Sequence, residues 1–503
     1  MEKAREMLAR QEALELQRRN QQGLGKPIIT AELNGTRFIA VANRLYYSDK
    51  WRTFHDFLNE YIKIVLGKEW GNKELRKPLD ERHPVCVWYY HMCRLQQQFA
   101  REHEKIHSAP MTGAAAAWLH LGYDLYSLAH NAEVRDKLVN RLKNPDGFRG
   151  ARYEVYVAAA LIRAGFQIEF ENEDDGSTTH CEFTATHSES GRKYSVEAKQ
   201  RNPGDHTGES AGNFRLGRRL HKALRKAANY PRVIFIDINV PDTAAGSDAP
   251  AFLRKALTDI RRFEGREVNG QPLPPAYLFV TNRPFEHDLE GTDSRPSLLA
   301  EGFQIPDFKG DHLFPSLRAA YEARKAHTDM HQLFASMREH ADVPSTFHGE
   351  APEFAFGDTP PRLLIGENYL VPDGEGHEVP GKLVSAIVDT ARSLAVGVYS
   401  LESGRSIIST NPLSEAELAA YKRHPETFFG VIQPVSRRAD TPLELFDFFH
   451  ETYRHTPRER LLEFLQNAPD IEWLRGQTQQ ELALIYAERS AYAAIAETGL
   501  GKG

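Results

Sequence analysis

Hydrophobic positions change their period along the chain. Residues 30–47 alternate as short strands, with Asn34-Gly35 as a hairpin turn signal. From 51 to 136 the pattern becomes helical: Trp51, Phe54, Phe57, Leu58 and Tyr61 fall at helical spacing and read as core aromatics. From Gly147 the texture changes again. An apolar helix over 153–164 precedes three strand-like segments, a basic helix, a nearly all-apolar strand from Val233, another helix and a last strand near Tyr277. That alternation predicts an α/β domain. Residues 340–362 are rich in Pro, Gly, His and acids and read as a linker. Beyond it, strands are expected at 363–365, 383–388, 396–401 and 406–408. Helices then open at Ser414 with Glu417, Thr441 with Glu444, and Thr456 with Glu459, where a hydroxyl and an acid three residues on cap the first turn. An amphipathic helix ends the chain.

The expected organisation is a multidomain α/β protein. It has a mostly helical N-terminal domain with a short hairpin (1–140), an α/β domain (141–339), the linker (340–362) and an α+β accessory domain with C-terminal helices (363–503). A chain of 503 residues has room for this. The formal net charge of −6 excludes a wholesale basic coat but leaves room for local basic faces. Three cysteines (Cys86, Cys93, Cys181) are too few for a disulfide framework, so a reducing, cytoplasmic setting is expected. No run approaches ~18 apolar residues, and the charged N-terminus is not a secretory signal, so no membrane partner is expected. A homo-oligomer stays open.

The chemistry concentrates between Gly147 and Arg201. Glu154 is the one carboxylate of the apolar helix; it is paired with Arg149 or Arg152, or it is used. Residues 180–186 and 193–199 read as two strands of a hairpin. Cys181, Phe183 and Ala185, and Tyr194, Val196 and Ala198, form apolar faces. The other faces carry His180, Glu182 and Thr184, and Glu197 with Lys199, so Glu182, Glu197 and Lys199 converge if the strands pair. Two carboxylates hold Mg²⁺ or Mn²⁺, which lowers the pKa of a bound water and neutralises a phosphate, while the lysine orients that water. A plain cross-strand salt bridge between Glu182 and Lys199 is the simpler reading of the same residues.

In this order, Glu154 on a helix, Glu182 on a strand, and Glu197 and Lys199 in Val196-Glu-Ala-Lys-Gln200 resemble the PD-(D/E)XK nuclease superfamily. The resemblance covers 147 to about 280 and implies a central αβββαβ mixed sheet, the restriction-endonuclease-like core. It implies a Mg²⁺- or Mn²⁺-dependent phosphodiesterase acting on nucleic acid, taken as a DNA endonuclease, with Glu154, Glu182 and Glu197 as metal residues and Lys199 and Gln200 completing the catalytic set. Defence against foreign DNA is common among multidomain members. The superfamily usually has Asp where Glu182 stands, and His180 is the rival for that position. If the acidic position is lost, the expectation is an inactive nuclease-fold module that binds nucleic acid or a partner protein. DNA and RNA, and endo- and exonuclease action, stay open.

From Lys199 to Arg232 there are nine Lys/Arg against two acids. Arg215, Arg218, Arg219, Lys222, Arg225 and Lys226 form one helical stripe, opposite an apolar face, and are expected to follow a nucleic-acid backbone. Two other motifs carry less. His103-Glu104-Lys105-Ile106-His107 matches a zinc-protease helix, but Pro110 follows at once and no third ligand is signalled. Gly208-Glu-Ser210-Ala-Gly212 matches a nucleophile elbow but lacks the preceding strand.

Overall fold

The computed structural model describes residues 2–100, 102, 105–170, 181–201, 216–241, 250–268, 270–310, 313–357, 362–374, 377–435 and 439–498. The chain divides into two compact units. The first comprises Met1–Leu273, Phe279–Leu299 and Leu333–Val435, and the second Pro274–Leu278, Ala300–Gln332 and Ser436–Gly503. The expected boundaries at 140/141, 339/340 and 362/363 all fall inside the first unit.

That unit opens with α1 (Glu2–Gln22) and an antiparallel sheet of β1 (Ile29–Leu33), β2 (Thr36–Val41) and β3 (Arg44–Ser48). Asn34 and Gly35 hold φ of 50° and 75°, the left-handed pair that a two-residue hairpin turn demands. Helices α2 (Phe54–Leu66), α3 (Lys68–Leu75), α4 (Pro84–Phe99), α5 (Gly113–Asn131) and α6 (Asp136–Lys143) follow. Thr53 and Asp56 cap α2 reciprocally, and its buried Phe54, Phe57 and Tyr61 pack on Tyr126 of α5. At the head of α5, the N–H groups of Gly113 and Ala114 donate to the carbonyls of Gly291 and Leu289 (2.9 and 3.0 Å). A Cβ on Gly113 would lie 2.1 Å from the Asp288 carbonyl oxygen and 2.5 Å from that of Phe285.

Next come α7 (Pro145–Arg163), β4 (Phe166–Phe170), β5 (Phe183–His187), β6 (Lys193–Gln200), α8 (Leu216–Leu224), β7 (Arg232–Asp237), α9 (Ala251–Glu264), the small pair β8 (Glu267–Val268) and β9 (Gln271–Pro272), β10 (Ala276–Asn282) and β11 (Ser297–Phe303). Gly165, at φ 89°, ends α7 and turns the chain into β4. The six-stranded sheet has the order β11-β10-β7-β6-β5-β4. β4, β5 and β6 form an antiparallel meander, whereas β6 and β7 are parallel. A parallel neighbour needs a crossover, and α8 lies within it. α7 packs on β4 and β6, and α8 on β6 and β7.

α10 (Leu317–Ala326) and α11 (Thr328–Glu339) precede the stretch read as a linker. That stretch is instead packed: Thr346, Phe347 and Ala351 are buried, the Phe54 N–H donates to the Ser345 carbonyl, and α12 (Pro352–Ala355) forms within it. Its apolar residues outweigh its Pro/Gly content. Strand β12 (Asn368–Pro372) begins after the expected 363–365 segment and joins β13 (Glu378–Asp389), β14 (Leu394–Leu401) and β15 (Ser406–Pro412) in an antiparallel sheet packed on α13 (Glu415–Arg423). Ser414 and Glu417 make the expected capping box.

The second unit holds α10 together with α14 (Pro442–Tyr453), α15 (Arg458–Phe464), α16 (Ile471–Leu474) and α17 (Gln479–Thr498). Leu443, Phe446, Ala487 and Ala491 pack with Leu317 and Ala320 of α10. Thr441 caps α14 as expected. α15 instead takes Pro457 as its cap, without a side-chain bond, because the proline already fixes the entry angle. No helix of the described residues is long and apolar enough to cross a membrane.

Candidate active site

Glu154 projects from α7 with 6% of its surface exposed. Its partner is Arg141 of α6, which donates Nη1 to Oε2 (2.8 Å) and Nη2 to Oε1 (2.5 Å). Of the two partners expected, Arg149 pairs with Glu286 (3.4 Å) instead, and Arg152 makes no ion pair with Glu154. Burial pushes the Glu154 carboxyl up to about 7, and the charge of Glu182 adds to this; the pull of Arg141 and Lys199 is weaker.

Glu182 stands directly before β5. Its N–H donates to the Val196 carbonyl (3.0 Å), extending the register that pairs Phe183 with Val196, so Glu182 comes opposite Glu197. The apolar sets named from alternation are buried, but the other faces are covered too: Glu197 is only 1% exposed, and Thr184 and Ser195 are buried. α7 and α8 pack against these strands and cover much of both faces.

Lys199 Nζ lies 3.4 Å from Glu182 Oε1 and contacts Glu197 Oε1. A second lysine completes the group. Lys226, two residues beyond α8, sets its Nζ 3.1 Å from Glu182 Oε1 and 2.9 Å from Glu197 Oε2. Burial alone would raise the Glu182 carboxyl, but Lys226 and Lys199 hold it below the usual range. Burial prevails at Glu197 and raises it. Lys226 loses solvation, yet the two carboxylates hold its ammonium above the ordinary lysine value.

Gln200 turns away from this group. Its Nε2 donates to Asp237 Oδ2 (2.8 Å), its partner in the β6–β7 register. Thr281 Oγ1 donates to Asp237 Oδ1 (3.1 Å) and also meets the Tyr153 hydroxyl (2.8 Å). Asp237 is fully buried, and this pushes its carboxyl up to about 6. Gln200 is therefore a link in a buried chain rather than a neighbour of the carboxylates.

Along α8, Leu216, Leu220, Ala223 and Leu224 are buried, while Arg218, Lys222 and Arg225 are exposed and Arg219 is half-buried. Lys226 leaves the expected stripe, because the helix has ended and the residue turns inward. Arg215, His180, Gly208 to Gly212, and His103 with Glu104 lie outside the described residues. Lys105, Ile106 and His107, which would continue the zinc-protease helix, are not helical.

Among the described residues, no group of three or more His, Cys, Asp or Glu side chains is arranged to hold a metal ion. The donor set still suits one hard cation. Glu182 and Glu197 already converge on a cation, the Lys226 ammonium, which touches one oxygen of each. From sequence, Lys226 belongs to the basic stripe and not to the carboxylate group, and Arg141 and Asp237 are not singled out. Only the Gln200–Asp237 pairing had a readable signal, since both close the adjacent strands of the αβββαβ order.

A comparison with protein-family models, with curated proteins and with solved structures finds no match to this chain.

Proposed function

We propose that the first unit is a metal-dependent nuclease with a PD-(D/E)XK-like core, acting on DNA. The observation that carries this reading is the meeting of Glu182, Glu197 and Lys199 on adjacent strands of an α7-β4-β5-β6-α8-β7 succession. A helix, an antiparallel meander and a crossover to a parallel strand form the order that the restriction-endonuclease-like core requires. Glu182 and Glu197 would hold Mg²⁺ or Mn²⁺, which when bound makes a water nucleophilic and offsets phosphate charge. Lys199 positions its ammonium beside both carboxylates, where it orients a water or meets the phosphate oxygens. Arg141 fixes the Glu154 carboxylate with a two-point fork. Arg218, Lys222 and Arg225 present an exposed basic face to the backbone.

Incubation of full-length protein with plasmid, with and without Mg²⁺ or Mn²⁺, tests the reading. Cleavage should require the metal, and Glu197→Gln and Lys199→Ala should each lower it at least about 100-fold. Cleavage unchanged in Lys199→Ala overturns the assignment.

A second reading rests on charge. Two carboxylates meet two lysines, and Glu154 meets Arg141, so the formal charges cancel among the side chains themselves. That balance favours a non-cutting module that binds nucleic acid or a partner protein. Metal-independent DNA binding without cleavage identifies it.

A further inference from the structure

A cavity of about 440 Å³ lies in the first unit, with walls from α5, α7, the end of β10, the head of β11 and the α11 region. Its size falls within the range of small-ligand pockets, ~300–1,000 Å³. Among the described residues its lining holds Arg163, Arg283 and Arg338 and no carboxylate.

The arginines are incompletely satisfied from within. Arg163 Nη1 bonds Asp124 Oδ1 at 3.0 Å, and Arg283 reaches only to 3.8 Å from the other oxygen of the same carboxylate. Arg283 is 7% exposed, yet its Nη1 finds no hydrogen-bond acceptor among the described residues. Arg152, buried nearby, has no acid within ion-pair distance among the described residues; Asp124, then Glu286 and Asp237, act on it from further away. One carboxylate shared by two buried guanidiniums leaves a site short of an anion, and a buried charge without a partner is costly.

The remaining walls are flat. The Arg283 guanidinium lies 3.8 Å above the Tyr156 ring. The His120 ring stacks on Phe285 at 5.3 Å, with 15° between the planes. Burial, with Arg283, Arg152 and Arg163 close by, keeps His120 neutral, so it offers a ring and not another charge.

We propose that this cavity binds a free nucleoside phosphate: guanidinium groups take the phosphate, and the aromatic walls take the base. A guanidinium fork matches phosphate oxygens, and an aromatic face accepts any base. The inference does not depend on the nuclease reading, since none of Glu182, Glu197 and Lys199 lines the cavity.

Calorimetric titration of the full-length protein tests it. The probes are adenosine and guanosine 5′-mono-, di- and triphosphates, with inorganic phosphate and the free nucleosides alongside. At least one nucleoside phosphate should bind saturably, about tenfold tighter than phosphate or nucleoside alone. Arg338→Glu, at an exposed position, and Arg283→Lys should each weaken it about tenfold, while Glu197→Gln leaves it unchanged. No saturable heat with any probe, or variants that bind like the wild type, overturns the proposal. Displacement of the nucleotide by an equimolar 5′-phosphorylated oligonucleotide overturns the assignment to a free nucleotide.

Discussion

Lys226 Nζ sits 2.9 Å from Glu197 Oε2, inside a cluster where Glu197 is 1% exposed. The lysine also touches Glu182, so a single ammonium spans the two carboxylates that would hold a divalent ion.

Lys226→Met should therefore act as a cation vacancy. Lys199 still pairs with Glu197, so the loss in urea unfolding should be about 1–3 kcal/mol, below that of a fully broken buried pair. Mg²⁺ or Mn²⁺ should restore much of that stability to the variant and add little to the wild type. Equal metal effects on both proteins would mean that the carboxylates do not share a cation.

Glu154 gives stability a definite pH slope. Its carboxyl rises from the ordinary 4.5 to about 7 in the folded protein. Between these values the folded state keeps a proton that the unfolded state releases. Its contribution is therefore most favourable below about 4.5, falls as pH rises to about 7, and then levels off, by at most about 3 kcal/mol. Glu182, held low, works the other way at more acidic pH. The difference in unfolding free energy between wild type and Glu154→Gln, followed from pH 4 to pH 8, should show this slope; a flat difference curve would contradict it.

Charge reversal at Arg218, Lys222 and Arg225 should weaken DNA binding for all sequences alike, because backbone contacts carry no base information. If three phosphates are neutralised, log affinity falls with log salt at a slope near −2.7, or about 40-fold for a fourfold rise in salt. The triple variant should flatten that slope in fluorescence anisotropy. An unchanged slope places the nucleic-acid path elsewhere.

Asp124→Asn should cost about 3–5 kcal/mol in thermal or urea unfolding, because it leaves the buried Arg163 and Arg283 without their shared anion. A loss under about 1 kcal/mol would show that water or another group already serves these guanidiniums.

Alternation of side chains made the β5–β6 hairpin and its Glu182, Glu197 and Lys199 legible, because strand period and register are local properties. Asn34-Gly35 and Ser414 with Glu417 were legible for the same reason. The partners were not. Arg141 reaches Glu154 from the preceding helix, and Lys226 enters only because α8 stops at Leu224, which a helical wheel does not reveal. The 340–362 stretch misled through composition: its prolines and glycines suggested a loop, while Phe347 and Ala351 were free to pack. The resemblance put Gln200 beside Lys199 in the catalytic set; pleating turns such neighbours to opposite faces, and Gln200 meets Asp237.

Gly113 gives the nucleotide-sized cavity its calibre. The backbone carbonyls of Phe285 and Asp288 rest where a side chain at 113 would begin, and Phe285 is one wall of the cavity. A methyl group there has to move the 285–288 backbone, and the Phe285 ring with it. The bore that admits or rejects a ligand is thus gauged by an atom that is absent, at a position that never touches the ligand.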